Sequence, residues 1–174
     1  MTRLQAWHGD ICDLEVDAIV SPATVSLWMS SGVGAAIKKR GGDGIEIAAV
    51  RRAPIALGDA TVTPAGALLA KHVIHVATLG AAHRTTPEVV SQAARSAVRA
   101  AQEIGARSIA LPALGAGMGG LDGAASARAT VAAVRAALAE APAVRRVIFA
   151  LPDAETFDAY RDEIERTESP VQAQ

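Results

Sequence analysis

Cysteine is almost absent from this chain: Cys12 stands alone in 174 residues, which excludes an intramolecular disulfide and any multi-cysteine metal site. Aromatic residues are nearly as scarce, at 3%, so Ala, Val, Leu and Ile have to fill the core. Neither sign of charge dominates, with 17 Lys and Arg against 18 Asp and Glu and a formal net charge of −1. Such a chain has no global attraction for phosphate backbones, so a nucleic-acid polymer is disfavoured as a partner unless a local basic patch holds it. No apolar run reaches the roughly 20 residues that span a bilayer. No basic, apolar and small leader opens the sequence either. The expectation is a cytoplasmic protein without membrane association.

What is present is a globular composition, 51% hydrophobic and 20% charged. The length suits one domain with a core that needs no disulfide or structural metal. The Ala- and Arg-rich usage resembles that of GC-rich bacterial genes. Short apolar runs predict strands at 4–8, 17–21, 60–63, 72–77, 108–111 and 144–151. They are mostly continuous rather than alternating, as in a sheet covered on both faces. Helices are predicted at 33–40, 44–52, 87–105, 122–141 and 153–166. The third has Thr86 as N-cap, Pro87 at its first position and Gly105 as its stop. Asp122 caps the fourth. The β/α alternation argues for one sheet sandwiched between helices, a single α/β domain over residues 1–166 with a polar tail at 167–174.

Three segments at predicted strand ends carry candidate chemistry, because ligands of open α/β sheets bind beyond the carboxyl ends of strands. Gly9-Asp10-Ile11 offers a sharp turn and a carboxylate able to accept from an exocyclic amine; read more plainly, it is a turn with an Asp cap. Ser30-Ser31-Gly32-Val33-Gly34 enters a helix whose first amides favour a phosphate, or it is a flexible loop before an ordinary helix. Leu111–Asp122 holds four glycines between a strand and a long helix, a phosphate cradle or a mobile surface loop. It is not a P-loop, since no Gly-Lys-Ser/Thr follows, and it lies outside the first βαβ unit where a dinucleotide fingerprint belongs. Together the three imply a ligand with phosphates flanked by a base and a sugar.

Those same segments resemble macro domains. Gly9-Asp10-Ile11 followed by Val16-Asp17-Ala18-Ile19-Val20 is similar to the family's GDI…VDAIVNAAN opening, and Gly32-Val33…Ala36-Ile37 to its GGGVDGAI. Gly58-Asp59-Ala60-Thr61-Val62-Thr63-Pro64 and His72-Val73-Ile74-His75-Val76 match the next stretch. Ser108–Ala113 leading into Gly117-Met118-Gly119-Gly120 resembles SIAFPAISTGVYGFP. The order holds from about Leu4 to Ile164. The resemblance implies a three-layer α/β/α sandwich with a mixed central sheet that binds ADP-ribose or an ADP-ribosylated macromolecule, with no cofactor and no metal. It implies Asp10 on the adenine amino group, Ile11 on the adenine edge, and Ser31, Gly32 and Val33 on the phosphate and distal-ribose side. Gly115, Ala116, Gly117, Met118 and Gly119 would wrap the diphosphate.

Departures from the family pattern shape the functional expectation. NAAN reads Ser21-Pro22-Ala23-Thr24, so Thr24 stands where an Asn meets the distal ribose. Gly34 replaces the Asp that helps activate water in hydrolytic members and can do no acid–base work. Gly119 replaces an aromatic, and Pro152 stands where an aromatic often stacks on adenine. With no catalytic residue identified, the expected function is a binding module. An ADP-ribosyl hydrolase or O-acetyl-ADP-ribose deacetylase is the alternative, and an interaction scaffold with an altered ligand is the third. His75 is expected in the core and His83 on the surface. Lys38, Lys39, Arg40, Arg51 and Arg52 read as a solvated face rather than a binding patch.

Overall fold

The short apolar runs become strands buried on both faces. The computed structural model describes residues 1–80 and 82–169. Among the described residues the strands are β1 (Arg3–His8), β2 (Ala18–Thr24), β3 (Ala60–Pro64), β4 (His72–Leu79), β5 (Ser108–Leu111) and β6 (Arg146–Leu151). The helices are α1 (Gly32–Gly41), α2 (Gly44–Val50), α3 (Pro87–Glu103), α4 (Gly123–Leu138) and α5 (Ala154–Glu168). The sheet order is β1-β6-β5-β2-β4-β3, parallel throughout except for β3 against β4. Period-2 alternation then sends Val20, Ile74, Ile109, Val147 and Phe149 to a core shared with α3, α4 and α5. Ile19, Val73, Ala110 and Ile148 face the opposite layer, where Ile37 of α1 and Ile45 of α2 cover them. This is a three-layer α/β/α sandwich with a mixed sheet.

Scarcity of aromatics has a visible consequence. On α3, Ala93, Ala94, Ala97 and Ala101 are fully buried, so the α3 and α4 layer is packed through methyl groups. Phe149 and Tyr160 are the large exceptions, with ring centroids 5.2 Å apart. Three helix starts are closed by side chains: Thr86 accepts from Val89 N–H at 3.3 Å, Asp122 from Ala125 N–H at 2.7 Å and Asp153 from Thr156 N–H at 2.8 Å. β2 runs beyond the expected end at Ser21, through Pro22 to Thr24. A proline is tolerated there because β5 accompanies β2 only at Ala18 and Ile19, so further on β2 is paired along one side. α3 stops at Glu103, ahead of Gly105 at φ +69°. α5 continues to Glu168, through the start of the expected tail, whose residues 170–174 lie outside the described residues. No helix among the described residues is long and apolar enough to cross a membrane.

Candidate functional site

The carboxyl ends of β6, β5, β2 and β4 lie side by side, and the loops leaving them enclose a cleft of about 430 Å³. Ser31, Gly32, Val33 and Gly34 reach it from the start of α1, and Gly115, Ala116, Gly117, Met118 and Gly119 from the loop after β5. Thr24 comes from the end of β2 and Pro152 from the end of β6. All the residues expected at the site therefore converge there except Asp10 and Ile11.

The start of α1 differs from the other capped helices. Ser31 occupies the N-cap with extended backbone, but its side chain makes no capping bond. Its hydroxyl instead meets Met118 Sδ at 3.4 Å, joining the two glycine-bearing segments. The first amides of a helix have no intrahelical acceptor, and here the residues that carry them line the cleft. With the helix dipole behind them they favour an anion.

The glycine loop is a built structure rather than a mobile one. Gly117–Gly119 form a single tight helical turn, and Leu121 N–H returns to Gly115 O at 3.0 Å. Thr85 N–H donates to Gly119 O at 3.1 Å and ties the turn to the segment before α3. At the root, Leu114 is fully buried and its carbonyl accepts from Ser126 Oγ at 2.7 Å. Ser126 Oγ in turn lies 2.7 Å from Tyr160 Oη, and burial pushes that phenol up to about 12. A chain of hydroxyls from α5 and α4 thus holds the loop in place.

Asp10 and Ile11 sit beyond the Pro152 end of the cleft. β1 and β6 run parallel, and Gly9 N–H donates to Leu151 O at 3.0 Å while His8 Nε2 lies 3.1 Å from Pro152 O. Asp10 Oδ1 accepts from Cys12 N–H at 2.9 Å, and Oδ2 is 3.8 Å from Arg40. Ile11 and Cys12 are buried, and burial followed by the Asp10 charge pushes the Cys12 thiol up to about 11. Lys38 bonds Glu46 at 3.2 Å and Arg40 bonds Asp13 at 2.8 Å; neither reaches the cleft. Among the described residues no Lys or Arg lines it.

Its titratable lining residues are Asp153 and His83. The Thr156 N–H holds the Asp153 carboxyl below the usual range, and that group is occupied in capping α5. His83 stands at φ +53° on the cleft rim, a location its polar loop did not reveal. His75 is fully buried, with Nε2 2.8 Å from Thr63 Oγ1, and is a core residue. Sequence reasoning missed Trp28, Thr78, Leu79 and Thr156 as lining residues. Only Trp28 carried a signal, being one of two tryptophans in the chain and lying between β2 and the glycine-bearing start of α1.

The comparisons agree with this geometry. The family model for the macro domain matches residues 20–130. An uncharacterized protein of Mycobacterium tuberculosis is 38% identical over 151 residues, covering 87% of this chain and 42% of that protein. The chain thus spans about two fifths of that relative's length. A Salmonella gallinarum protein named O-acetyl-ADP-ribose deacetylase is 35% identical, with 91% of this chain and 92% of the relative covered. Among solved structures, the Trypanosoma brucei macrodomain in complex with ADP-ribose superposes with a TM-score of 0.85 at 23% identity, over 92% of this chain and 68% of that one. That last likeness is one of fold.

Proposed function

The chain belongs to the macro domain family, and from that premise we propose that its cleft binds ADP-ribose or a closely related adenine nucleotide diphosphate, free or attached to a macromolecule. The observation that carries the reading is the pairing of two sets of backbone N–H groups, the uncapped first turn of α1 and the Gly117–Gly119 turn, around one cleft. With no Lys or Arg in the lining among the described residues, phosphates are to be held chiefly by main-chain dipoles. In this reading adenine lies at the Pro152 end, within reach of Asp10 Oδ2 and the edge of Ile11. The diphosphate lies between Ser31–Gly34 and Gly115–Gly119, and the second ribose lies near Thr24. Residues 1–166 form the binding domain, with the cytoplasm as its location.

The name of the Salmonella relative supports a second reading, hydrolysis of an ADP-ribose derivative. Binding is preferred because Gly34 offers no acid–base group and the one lining carboxylate, Asp153, caps α5 at the opposite end. Calorimetric titration with ADP-ribose, using AMP and ADP as controls, tests the proposal. Saturable binding that prefers ADP-ribose is expected. Asp10→Ala should weaken it by about 1–3 kcal/mol, the range for a hydrogen bond to a charged group. Gly117→Val should abolish it by filling the cradle. Heat from AMP equal to that from ADP-ribose would leave the second ribose without a role. Release of product from an acetylated ADP-ribose would turn the preference to catalysis.

A further inference from the structure

Trp28 is 57% exposed, while its neighbours Leu27 and Met29 are 0% and 2% exposed. The loop holding it is pinned on both sides. Leu27 N–H donates to Thr24 O at 3.0 Å, Ile55 N–H to Val25 O at 3.1 Å, and Met29 N–H to Glu46 Oε2 at 2.8 Å. Leu27 itself adopts φ +62°, a strained conformation for a branched side chain, and packs its side chain with Ala23 and Ala49. Two buried anchors around a strained turn hold the indole outward. Trp28 joins none of the core clusters and, among the described residues, is the only Phe, Tyr or Trp lining the cleft. A large apolar ring kept out of the core at a cleft rim is explained by something that covers it.

Its position along the cleft says which part of a ligand that is. The strand ends run in the order β6, β5, β2, β4, about 4.8 Å apart, so Pro152 and the β4 end are separated by roughly 14 Å. Trp28 follows β2 one tight turn beyond Thr24, whose carbonyl accepts from Leu27 N–H, while Pro152 follows β6 two strands away. Gly34 and Gly119 line the cleft as well, and a Cβ on Gly119 would come 2.9 Å from Thr85 Cγ2, so that wall admits no larger side chain. The cleft beyond Thr24 is thus bordered by an exposed indole and, among the described residues, by no Lys or Arg.

We propose that Trp28 stacks on a planar, positively charged ring carried by the second ribose, so that the cleft takes an intact pyridinium dinucleotide in preference to ADP-ribose. This rests on the ADP-ribose-binding reading and adds a subsite to it. The face of Trp attracts cations more strongly than any other aromatic, and among the described residues no Lys or Arg lines the cleft to oppose a pyridinium.

The test compares NAD+, NADH and ADP-ribose on the full chain and on Trp28→Leu and Trp28→Phe, with thermal melts to verify folding. NAD+ should bind more tightly than both NADH, whose ring is uncharged, and ADP-ribose. In Trp28→Leu the ratio of NAD+ to ADP-ribose affinity should fall about five- to thirtyfold, the range of a desolvated cation–π contact, whatever happens to ADP-ribose itself. Trp28→Phe should restore part of that ratio. In a Trp7→Phe background, NAD+ should quench Trp28 fluorescence more strongly than ADP-ribose does. ADP-ribose binding with an unchanged ratio in Trp28→Leu overturns the subsite and leaves the binding reading intact. Absence of binding by all three ligands overturns both.

Discussion

Single residues in the glycine loop look interchangeable in the sequence but have different surroundings. Gly115 has φ +80°, and a Cβ there would lie 2.6 Å from Val90 Cγ2 and 2.8 Å from Leu121 Cδ1. Gly117 has φ +68° with nothing within 4 Å of the same atom. Gly117→Ala should therefore cost only the left-handed backbone strain, about 1–2 kcal/mol. Gly115→Ala adds overpacking and should cost about 1–3 kcal/mol more, read from urea denaturation midpoints. Equal losses would mean that Val90 and Leu121 yield without resistance. That a glycine cradle stands here was legible from composition and position. Which glycine guards packing and which leaves room for a ligand depends on residues about 6 to 25 positions away.

Helix starts show the same division among elements. Thr86 and Asp122 were readable as caps and each accepts the expected amide, while Asp153, expected as the first residue of its helix, caps it instead. Ser31 carries the same chemistry in sequence, yet its hydroxyl turns to Met118 and leaves the first turn of α1 open. Asp122→Ala should destabilise the protein by about 1 kcal/mol, seen as a lower Tm. Ser31→Ala should change stability by under about 0.5 kcal/mol, because no cap is lost. A loss at Ser31 as large as that at Asp122 would show that the hydroxyl caps α1 in solution and would remove the open helix end from the site.

On the scale of the whole molecule, the buried polar groups of the sheet set the acid response. Burial, and then the charge of Arg52, pushes His75 down to about 4, while the unfolded value is near 6.5. The folded state thus binds fewer protons than the unfolded state between those values. Stability is fully present above about pH 6.5 and is lost as pH falls toward 4, by at most about 1.4 kcal/mol per pH unit. At Asp17 burial acts upward, but the Arg107 and Ser108 N–H groups and Lys71 outweigh it and hold the carboxyl below its usual range. Its contribution is present above the ordinary carboxylate value and fades below it, as pH falls through the lowered folded value. Urea unfolding from pH 7 to pH 4 should show a falling midpoint, and His75→Gln should flatten that slope whatever its effect on the level at pH 7. An unchanged slope in the variant would place the acid sensitivity elsewhere.

What the sequence determined by itself was everything set by local chemistry. Apolar runs of strand length, caps, proline and glycine stops, and the order of the glycine-bearing loops were enough for the α/β architecture and the family. Most of the cleft's lining followed from the same loops, because strand ends on one edge of a sheet bring their loops together. Only the tertiary structure decided what depends on neighbours distant in the chain. It turned Ser31 to Met118 and left the first turn of α1 uncapped, gave the expected core residue His75 its partner Thr63 and brought His83 to the rim. It also held Trp28 outward between two buried neighbours. In loops and at helix starts, side-chain direction and exposure are set by packing against segments distant in the chain, where no periodic pattern exists to encode them.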